Sequence, residues 1–244
     1  MRTSTDTVAQ LRTRLARAER EAAAHQRQLE RYAADLRESY RRERARTQQL
    51  RRSYKATVRA LSNAVEARDA YTGKHAERVA AYGMELARAA GIEIEDSPQI
   101  EFGFLLHDVG KVAVPDAILF KSSSLTEEEY SLVRRHPVIG TEILRDVDFL
   151  GEGKLVVRHH HERWDGTGYP DGLAGDSIPL AARVFAVADA LDALTTDRPY
   201  RPASTFAHAR GVVRDGSGSQ FDPAVVAAYE RIPDETFAQL RRHL

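Results

Sequence analysis

Apolar and small side chains recur at alternating steps of three and four residues through the first part of the chain. The positions are Val8, Leu11, Leu15, Ala18, Ala22, Leu29, Tyr32 and Leu36, with His25 at the remaining place in the series. Such a seven-residue repeat keeps one narrow stripe on one side of a helix, where it can pack against a partner helix. The pattern favours a coiled coil over about four heptads, with a single charged helix as the alternative.

The strict repeat lapses after Leu36, and apolar residues then return mostly at four-residue steps. These residues are Leu50, Tyr54, Val58, Leu61 and Val65. The spacing predicts that the same helix continues and packs its stripe against the domain that follows. We expect residues 1–55 to form a helical arm that makes a homodimer, and residues 56–244 to form a second domain.

The second domain has the pattern of successive helices separated by glycine- and proline-containing loops, without convincing strands. Thr126 and Glu129 predict a capping box and a helix that runs toward His136, where Pro137 interrupts it. Pro179 suits the first turn of an apolar helix, and Asp222 before a proline predicts the start of another. The fold class is therefore all-α, with a coiled-coil helix followed by a helical bundle.

Composition narrows the chemistry that this chain can perform. Among its 244 residues there is no cysteine, which excludes disulfides, zinc ribbons, thiolate nucleophiles and cysteine-bound iron–sulfur clusters. The 36 basic and 36 acidic residues cancel, yet residues 1–55 hold 15 basic and seven acidic side chains, so the remainder is acidic. Any metal must therefore be bound by imidazole and carboxylate groups.

The basic arm does not predict an RNA, DNA or membrane partner. Acidic residues are interspersed among its arginines and no aromatic platform accompanies them, which is typical of a solvated helix face. No apolar run approaches the ~20 residues of a membrane span, and the start of the chain lacks the apolar core of a secretory signal. The expected location is the cytoplasm.

Histidine and aspartate are grouped in the second domain in a way that predicts a metal centre. The groups are His75, the pair His107 and Asp108 in the segment HDVGK, His136, the run His159 to His161, and Asp189 within an apolar helix. Any one of these histidines is more often a surface or core residue than a ligand. Together, the imidazoles and carboxylates are the ligand types for iron, manganese or zinc, and we expect Asp189 to be a buried carboxylate that needs a cation.

These motifs resemble the HD-GYP subgroup of the HD-domain phosphohydrolases, over roughly residues 56–229. His107 and Asp108 match the HD pair, the segment HHERWDGTGYP matches the extended signature with Gly168, Tyr169 and Pro170 as its GYP, and Asp189 matches a later aspartate. The resemblance implies a helical HD-domain bundle with two or three metal ions, usually iron or manganese. It also implies a bacterial signalling enzyme that hydrolyses cyclic di-GMP to pGpG or further to GMP.

The resemblance also implies the ligand set. The matching positions are His75, His107, Asp108, His136, His160, His161 and Asp189, with Asp108 as the bridging ligand. Members with a third metal have a glutamate four residues before the first histidine, where this chain has Tyr71, so two divalent ions are expected. His159 is interpreted as a flanking residue. Glu162 and Asp165 are expected to orient the ligating histidines.

Two metals would acidify a bridging water, and the hydroxide would attack the phosphodiester in line. Asp108 and Lys111 are the expected catalytic residues, with Lys111 contacting phosphate unless it pairs with a nearby carboxylate. Substrate binding is expected from Lys111, the GYP loop and the segment DRPYR, where Arg198 and Arg201 match the family's basic positions. Tyr169 and Tyr200 either stack on a base or fill the loop.

Two other hypotheses remain open. One is a signalling module that binds a cyclic dinucleotide or a partner protein with little or no turnover. The other is the same chemistry on a different cyclic dinucleotide or on a mononucleotide. The presence of every matched ligand favours the enzyme.

Overall fold

The computed structural model describes residues 2–68, 74–93, 97–121, 123–197 and 201–244, with side chains from Thr7 onward. Tyr71, Arg198 and Tyr200 lie outside these residues. Within them the regular structure is helical and no strand is formed, which confirms the all-α prediction. The α-helices are, in chain order, α1 (Arg2–Glu66), α2 (His75–Ala89), α3 (Pro98–Leu106), α4 (Asp116–Leu119), α5 (Glu127–Val133), α6 (His136–Ile143), α7 (Gly153–His159), α8 (Leu180–Thr195), α9 (Phe206–Asp215), α10 (Pro223–Glu230) and α11 (Asp234–Arg242).

By its internal contacts the chain divides into two units, Met1–Tyr54 and Lys55–Leu244. The first unit consists of helix, and its large apolar heptad residues, from Val8 to Leu36, are 47% to 72% exposed. A helix with an exposed apolar stripe has no core of its own to bury. None of the helices in the described ranges is long and apolar enough to cross a membrane.

The second unit is built around α2 and α8, which pack against each other. Helix α3 packs on α7, and α7 in turn contacts α6 and α8. The fully buried side chains include Tyr82 of α2, Phe104 of α3 and Phe185 of α8. Burying aromatic side chains of this size supplies much of the hydrophobic stabilisation of such a domain.

The local signals of the sequence mostly coincide with helix ends. The Thr126–Glu129 capping box is formed: Thr126 Oγ1 accepts from the Glu129 amide at 3.3 Å, and Glu129 Oε2 accepts from the Thr126 amide at 2.8 Å. Asp222 caps α10, and Pro179 directly precedes α8. The predicted continuation of α5 to His136 is wrong, because α5 ends at Val133 and His136 instead begins α6, with Pro137 in the first turn.

Candidate metal centre and substrate cleft

Three buried histidines are held in one tautomer by backbone carbonyl groups. A carbonyl oxygen only accepts, so the ring nitrogen next to it must carry the hydrogen, and the other nitrogen keeps a lone pair. The Nδ1–O distances are 2.9 Å for His107 and Phe104, 2.7 Å for His136 and Val133, and 3.0 Å for His160 and Val157. In each case Nε2 is left as a potential metal ligand.

His75, the first residue of α2, is oriented by a carboxylate instead. Its Nδ1 lies 2.7 Å from Oδ2 of Asp192, and Arg78 donates to both oxygens of the same carboxylate, at 2.6 Å and 3.1 Å. Burial lowers the pKa of His75, but the hydrogen bond to Asp192 and the negative charges of Asp189, Asp192 and Asp108 outweigh burial and raise it above 6.5. An anionic environment that favours a cation on this ring would also favour a metal ion beside it.

Asp192 is the buried carboxylate of α8, and it is not among the predicted site residues. Its side chain is 2% exposed, whereas that of Asp189 is 34% exposed. The expectation of a buried Asp189 is therefore wrong. The free-energy cost of burying a carboxylate applies instead to Asp192, and its ion pair with Arg78 offsets that cost. Asp189 Oδ1 still lies 3.6 Å from Nε2 of His75. The sequence signal for Asp192 was its position three residues after Asp189, on nearly the same helix face.

Asp108 lies between two groups of imidazoles. Its Oδ1 is 3.2 Å from Nε2 of His136 and 3.9 Å from Nε2 of His160, while its Oδ2 is 3.0 Å from Nε2 of His107. Burial raises the pKa of Asp108, but the neighbouring His107 ring and the ammonium group of Lys111 outweigh burial and hold the pKa well below its usual range. Asp108 is thus an anion with its two oxygens directed to different groups.

Potential ligand atoms in each group lie within 4.8 Å of one another. One group consists of Asp108, His136, His160 and His161, and the other of His75, His107 and Asp108. The segment after Asp108 packs closely against the start of α6. Gly110 permits this approach, because a Cβ there would lie 1.9 Å from the carbonyl oxygen of His136. All seven predicted ligands are therefore brought together, Asp189 through its contact with His75.

The donor set fits divalent cations. Nε2 of His136 and Nε2 of His160 are 3.1 Å apart, and because both Nδ1 atoms donate to carbonyls, two lone pairs face each other. Burial, together with the neighbouring imidazoles, lowers the pKa of His160 well below 6.5 and that of His161 to about 3, so neither ring is protonated near neutral pH. A divalent ion of the iron, manganese or zinc type would relieve this repulsion and satisfy the lone pairs.

Lys111 lies next to the shared carboxylate. Its Nζ is 2.8 Å from Oδ2 of Asp108. The pairing with a nearby carboxylate, considered from the sequence as the alternative role, is therefore present. It also keeps an ammonium group beside the carboxylate that both groups share.

The GYP loop folds back onto the histidine run. The Tyr169 amide donates to the carbonyl of His161 at 3.2 Å, and the two rings stack with centroids 4.7 Å apart. Gly168 permits this approach, since a Cβ there would lie 2.4 Å from the amide nitrogen of Arg163. Pro170 follows through a cis peptide bond. The loop thus contacts a predicted metal ligand directly through Tyr169.

The expected roles of Glu162 and Asp165 as partners of the ligating histidines are wrong. The buried Glu162 carboxylate accepts from the amides of Asp171, at 2.8 Å, and Leu173, at 3.1 Å, and so holds the loop. Asp165 accepts from the hydroxyl and the amide of Thr167, at 2.6 Å and 3.0 Å. His159 lies in a separate group with Glu162 and Asp171, consistent with a flanking position.

A cleft of about 520 Å³ opens beside the histidines. Its wall includes His160, His161, Asp189, Gly168 and Tyr169 together with Arg201, whose guanidinium donates to the carbonyl of Ala193. Tyr130 and Arg134, which are not among the predicted site residues, also line it. The sequence held no sign of Arg134, because only the tertiary structure brings its guanidinium next to Tyr169 at the cleft. Arg198 lies outside the described residues.

Comparison with known proteins identifies the family of this chain. The family model for the HD domain matches residues 59–225. The chain is 43% identical over 177 residues to the cyclic di-GMP phosphodiesterase response regulator RpfG of Xanthomonas campestris pv. campestris, which covers 72% of this chain and 47% of that protein. It is 40% identical over 179 residues to 3'3'-cGAMP-specific phosphodiesterase 2 of Vibrio cholerae. That match covers 72% of this chain and 34% of that protein.

A solved structure shares the fold. The HDG"Y"P protein Bd1817 of Bdellovibrio bacteriovorus superposes with a TM-score of 0.51 at 24% identity, covering 63% of this chain and 49% of that one. The chain spans less than half the length of the two curated relatives. With the HD model matched over most of the chain, and with His107–Asp108 and the GYP loop in one site, the chain belongs to the HD domain family, in its HD-GYP subgroup.

Proposed function

We propose that this chain is a metal-dependent phosphodiesterase that hydrolyses a cyclic dinucleotide, with cyclic di-GMP as the first candidate substrate. The proposal rests on one observation: the carboxylate of Asp108 belongs to both groups of potential ligands, next to a cleft of about 520 Å³. A shared carboxylate suits a pair of metal ions, and the cleft offers arginines and aromatic rings to a dinucleotide.

The seven side chains would hold two divalent ions, iron or manganese, with Asp108 as the ligand common to both. When bound, such ions stabilise negative charge on a phosphodiester and acidify water. The chain prepares this site through its own hydrogen bonds: carbonyl groups hold His107, His136 and His160, and Asp192 holds His75, so that Nε2 of each ring is directed inward. Preset ligands reduce the entropy lost on metal binding.

Lys111 is proposed to contact the scissile phosphate. Its Nζ lies 2.8 Å from Oδ2 of Asp108, so its positive charge is next to the carboxylate at which the phosphate is proposed to bind. In this position its charge stabilises the equatorial oxygens of the phosphoryl group, where negative charge gathers during in-line attack. Asp108 and Lys111 are thus the proposed catalytic residues.

Substrate binding is proposed for Gly168, Tyr169, Pro170 and Arg201. The Tyr169 ring lines the cleft beside His161, and Gly168 permits the loop to approach. Arg201 lines the cleft, and its fork suits phosphate or the guanine edge. Arg198 is proposed for the same role from its sequence position alone.

The names of the relatives support cyclic di-GMP as the substrate, and one of them suggests a second candidate substrate. RpfG is named for cyclic di-GMP, while the Vibrio cholerae relative at 40% identity is named for 3'3'-cGAMP. We propose cyclic di-GMP, hydrolysed to pGpG, to GMP or to both, and retain 3'3'-cGAMP as the alternative substrate. A binding module with weak turnover is less well supported, because the full ligand set is present.

Metal analysis and product chromatography test the proposal on anaerobically purified protein. Iron or manganese should be bound at about two ions per chain, and cyclic di-GMP should disappear with formation of linear products. Asp108→Ala should abolish turnover, while Asp146→Ala, which removes an exposed carboxylate of the same domain, should not. Tight binding of cyclic di-GMP without product would favour the binding module, and turnover by Asp108→Ala would refute the mechanism.

We also propose that residues 1–55 join two copies of this chain. The large apolar heptad residues of Met1–Tyr54 are exposed, and a seven-residue stripe of this kind is buried by pairing with an equivalent helix. A second copy is the partner that the repeat itself specifies, since both helices then carry the same spacing.

A further inference from the structure

The guanidinium of Arg134 lines the cleft and lies near two tyrosine rings. Arg134 directly follows helix α5, and its Cζ lies 4.4 Å from the ring centroid of Tyr130 and 5.5 Å from that of Tyr169. Tyr169 in turn stacks on His161. The guanidinium is therefore one aromatic ring away from the metal centre.

Aromatic faces hold this guanidinium without using its N–H groups. The nearest carboxylate oxygen, Oε1 of Glu127, is 3.9 Å from Nη1, too far for a hydrogen bond, and both side chains are exposed. In the described part of the chain the Arg134 guanidinium forms no hydrogen bond with a protein acceptor. Cation–π contacts fix the position of a guanidinium while its planar donors stay available.

The other arginines of the cleft wall have used donors on the protein. Arg163 donates to Thr167 at 2.9 Å and to Asp165 at 3.2 Å, and Arg201 donates to the carbonyl of Ala193. Each therefore has fewer donors left for a ligand. Arg134 differs, because aromatic rings orient its guanidinium and none of the described residues accepts a hydrogen bond from it, which is the arrangement expected of a ligand-binding arginine.

We propose that Arg134 binds the phosphate of a cyclic dinucleotide that is not being hydrolysed, an inference that rests on the proposed function. The scissile phosphate must lie at Asp108, while Arg134 is separated from that centre by the Tyr169 ring. A cyclic dinucleotide carries two phosphates, and a bidentate guanidinium matches the two non-bridging oxygens of the second. Arg134 would then favour cyclic dinucleotides over diesters with one phosphate.

Steady-state kinetics with two substrates tests this role. In Arg134→Ala, KM for cyclic di-GMP should rise about 10- to 100-fold, while turnover of bis(p-nitrophenyl) phosphate, which has one phosphate, should stay within about twofold. Arg134→Lys, which keeps the charge without the fork, should fall between wild type and Arg134→Ala. Arg135→Ala, a neighbouring exposed arginine, and Glu127→Gln, which removes the weak ion pair, are the controls and should keep the wild-type KM.

Equilibrium binding separates a phosphate contact from a base contact. Titrations with cyclic di-GMP, 3'3'-cGAMP and cyclic di-AMP should show the same fold loss for each ligand in Arg134→Ala. A loss restricted to the guanine-containing ligands would overturn the phosphate assignment in favour of base recognition. Unchanged KM and affinity in Arg134→Ala, with an active wild type, would overturn the proposal alone.

The proposed function fails in a different way. If the wild type binds cyclic dinucleotides but does not hydrolyse them, phosphodiesterase activity is refuted and the titrations still decide the role of Arg134. If the wild type neither binds nor hydrolyses them, both proposals are overturned. Circular dichroism of each variant verifies that the exposed substitutions leave the fold intact.

Discussion

The His75 imidazole donates from Nδ1 to Oδ2 of Asp192, 2.7 Å away, across the interface between α2 and α8. The same carboxylate receives two hydrogen bonds from Arg78. Asp192 is thereby fixed in orientation, and it in turn fixes the tautomer of a predicted metal ligand. A buried ion pair of α8 thus positions a metal ligand at the start of α2.

Asp192→Asn should weaken metal binding. The amide keeps the shape of the side chain but removes the charge that holds the His75 ring, and loss of such outer partners lowers metal affinity by about 10- to 100-fold. Competition with a fluorescent chelator measures the manganese affinity. Asp215→Asn, on the surface at the end of α9, should leave the affinity unchanged, and equal affinities for all three proteins would contradict the positioning role.

Glu66→Ala should destabilise the domain by removing a cap. The Glu66 carboxylate accepts from the amides of Lys74, at 3.2 Å, and Ala76, and the N-cap residue Lys74 provides no side-chain cap of its own. Loss of an N-terminal cap costs about 0.5–2 kcal/mol. Urea unfolding measures the change, with Glu142→Ala on the surface of α6 as a control expected to stay within about 0.5 kcal/mol.

Gly168→Ala should disturb the GYP loop. The added Cβ would meet the backbone of Glu162, Arg163 and His161 at 2.4–2.6 Å, so the loop must shift, at a cost of about 1–3 kcal/mol. Thermal unfolding should show a lower midpoint, and KM for the cyclic dinucleotide should rise. Gly211→Ala provides the matched control, since no atom lies within 4 Å of a Cβ at that helical position, and its stability should be unchanged or slightly higher.

Acid should destabilise the metal-free protein through its buried imidazoles. Burial, the largest cause, lowers the pKa of His161 to about 3. Below the ordinary value of about 6.5 the unfolded chain therefore binds a proton that the folded chain does not, and stability falls as pH falls. The raised pKa of His75 has the opposite sign: its contribution is present below about 6.5 and is lost as pH rises through the folded-state pKa.

A variant of His161 measures how much this one imidazole contributes to the loss of stability in acid. Between about pH 7 and about pH 5, His161→Gln should lose about 2 kcal/mol less unfolding free energy than the metal-free wild type. Urea denaturation at both pH values measures the difference. His208→Gln, an exposed histidine of α9, should follow the wild type, and an equal loss in His161→Gln would show that His161 does not contribute.

Charges in the heptad stripe should separate the proposed dimer. Leu15→Lys with Leu29→Lys puts two ammonium groups into each helix at the stripe, where burial of an unpaired charge is costly. Sedimentation velocity should show a dimer for the wild type and a monomer for the double variant. Gln10→Lys, at a position that faces away from the stripe, should remain dimeric, whereas a monomeric wild type would refute the proposed partner.

Much of the site follows from residue types and spacing alone. The HD pair, the single histidines at 75 and 136 and the run at 160–161 form two groups around the carboxylate of Asp108, and Asp189 contacts His75. The capping box at Thr126 could be recognised because it depends only on residues three apart. The end of α5 could not, since a proline can either end a helix or occupy the first turn of the next one, and Pro137 lies in the first turn of α6.

The sequence by itself determined that the chain is helical, that any metal must be bound by imidazole and carboxylate groups, and which residues are the candidate ligands. These properties depend on composition, periodicity and local spacing. Only the tertiary structure decided that Asp192 rather than Asp189 is the buried carboxylate, that Glu162 holds the GYP loop, and that Arg134 lies in the cleft wall. Burial and hydrogen-bond partners arise when segments distant in sequence pack together, and a one-dimensional pattern does not specify which polar groups meet there.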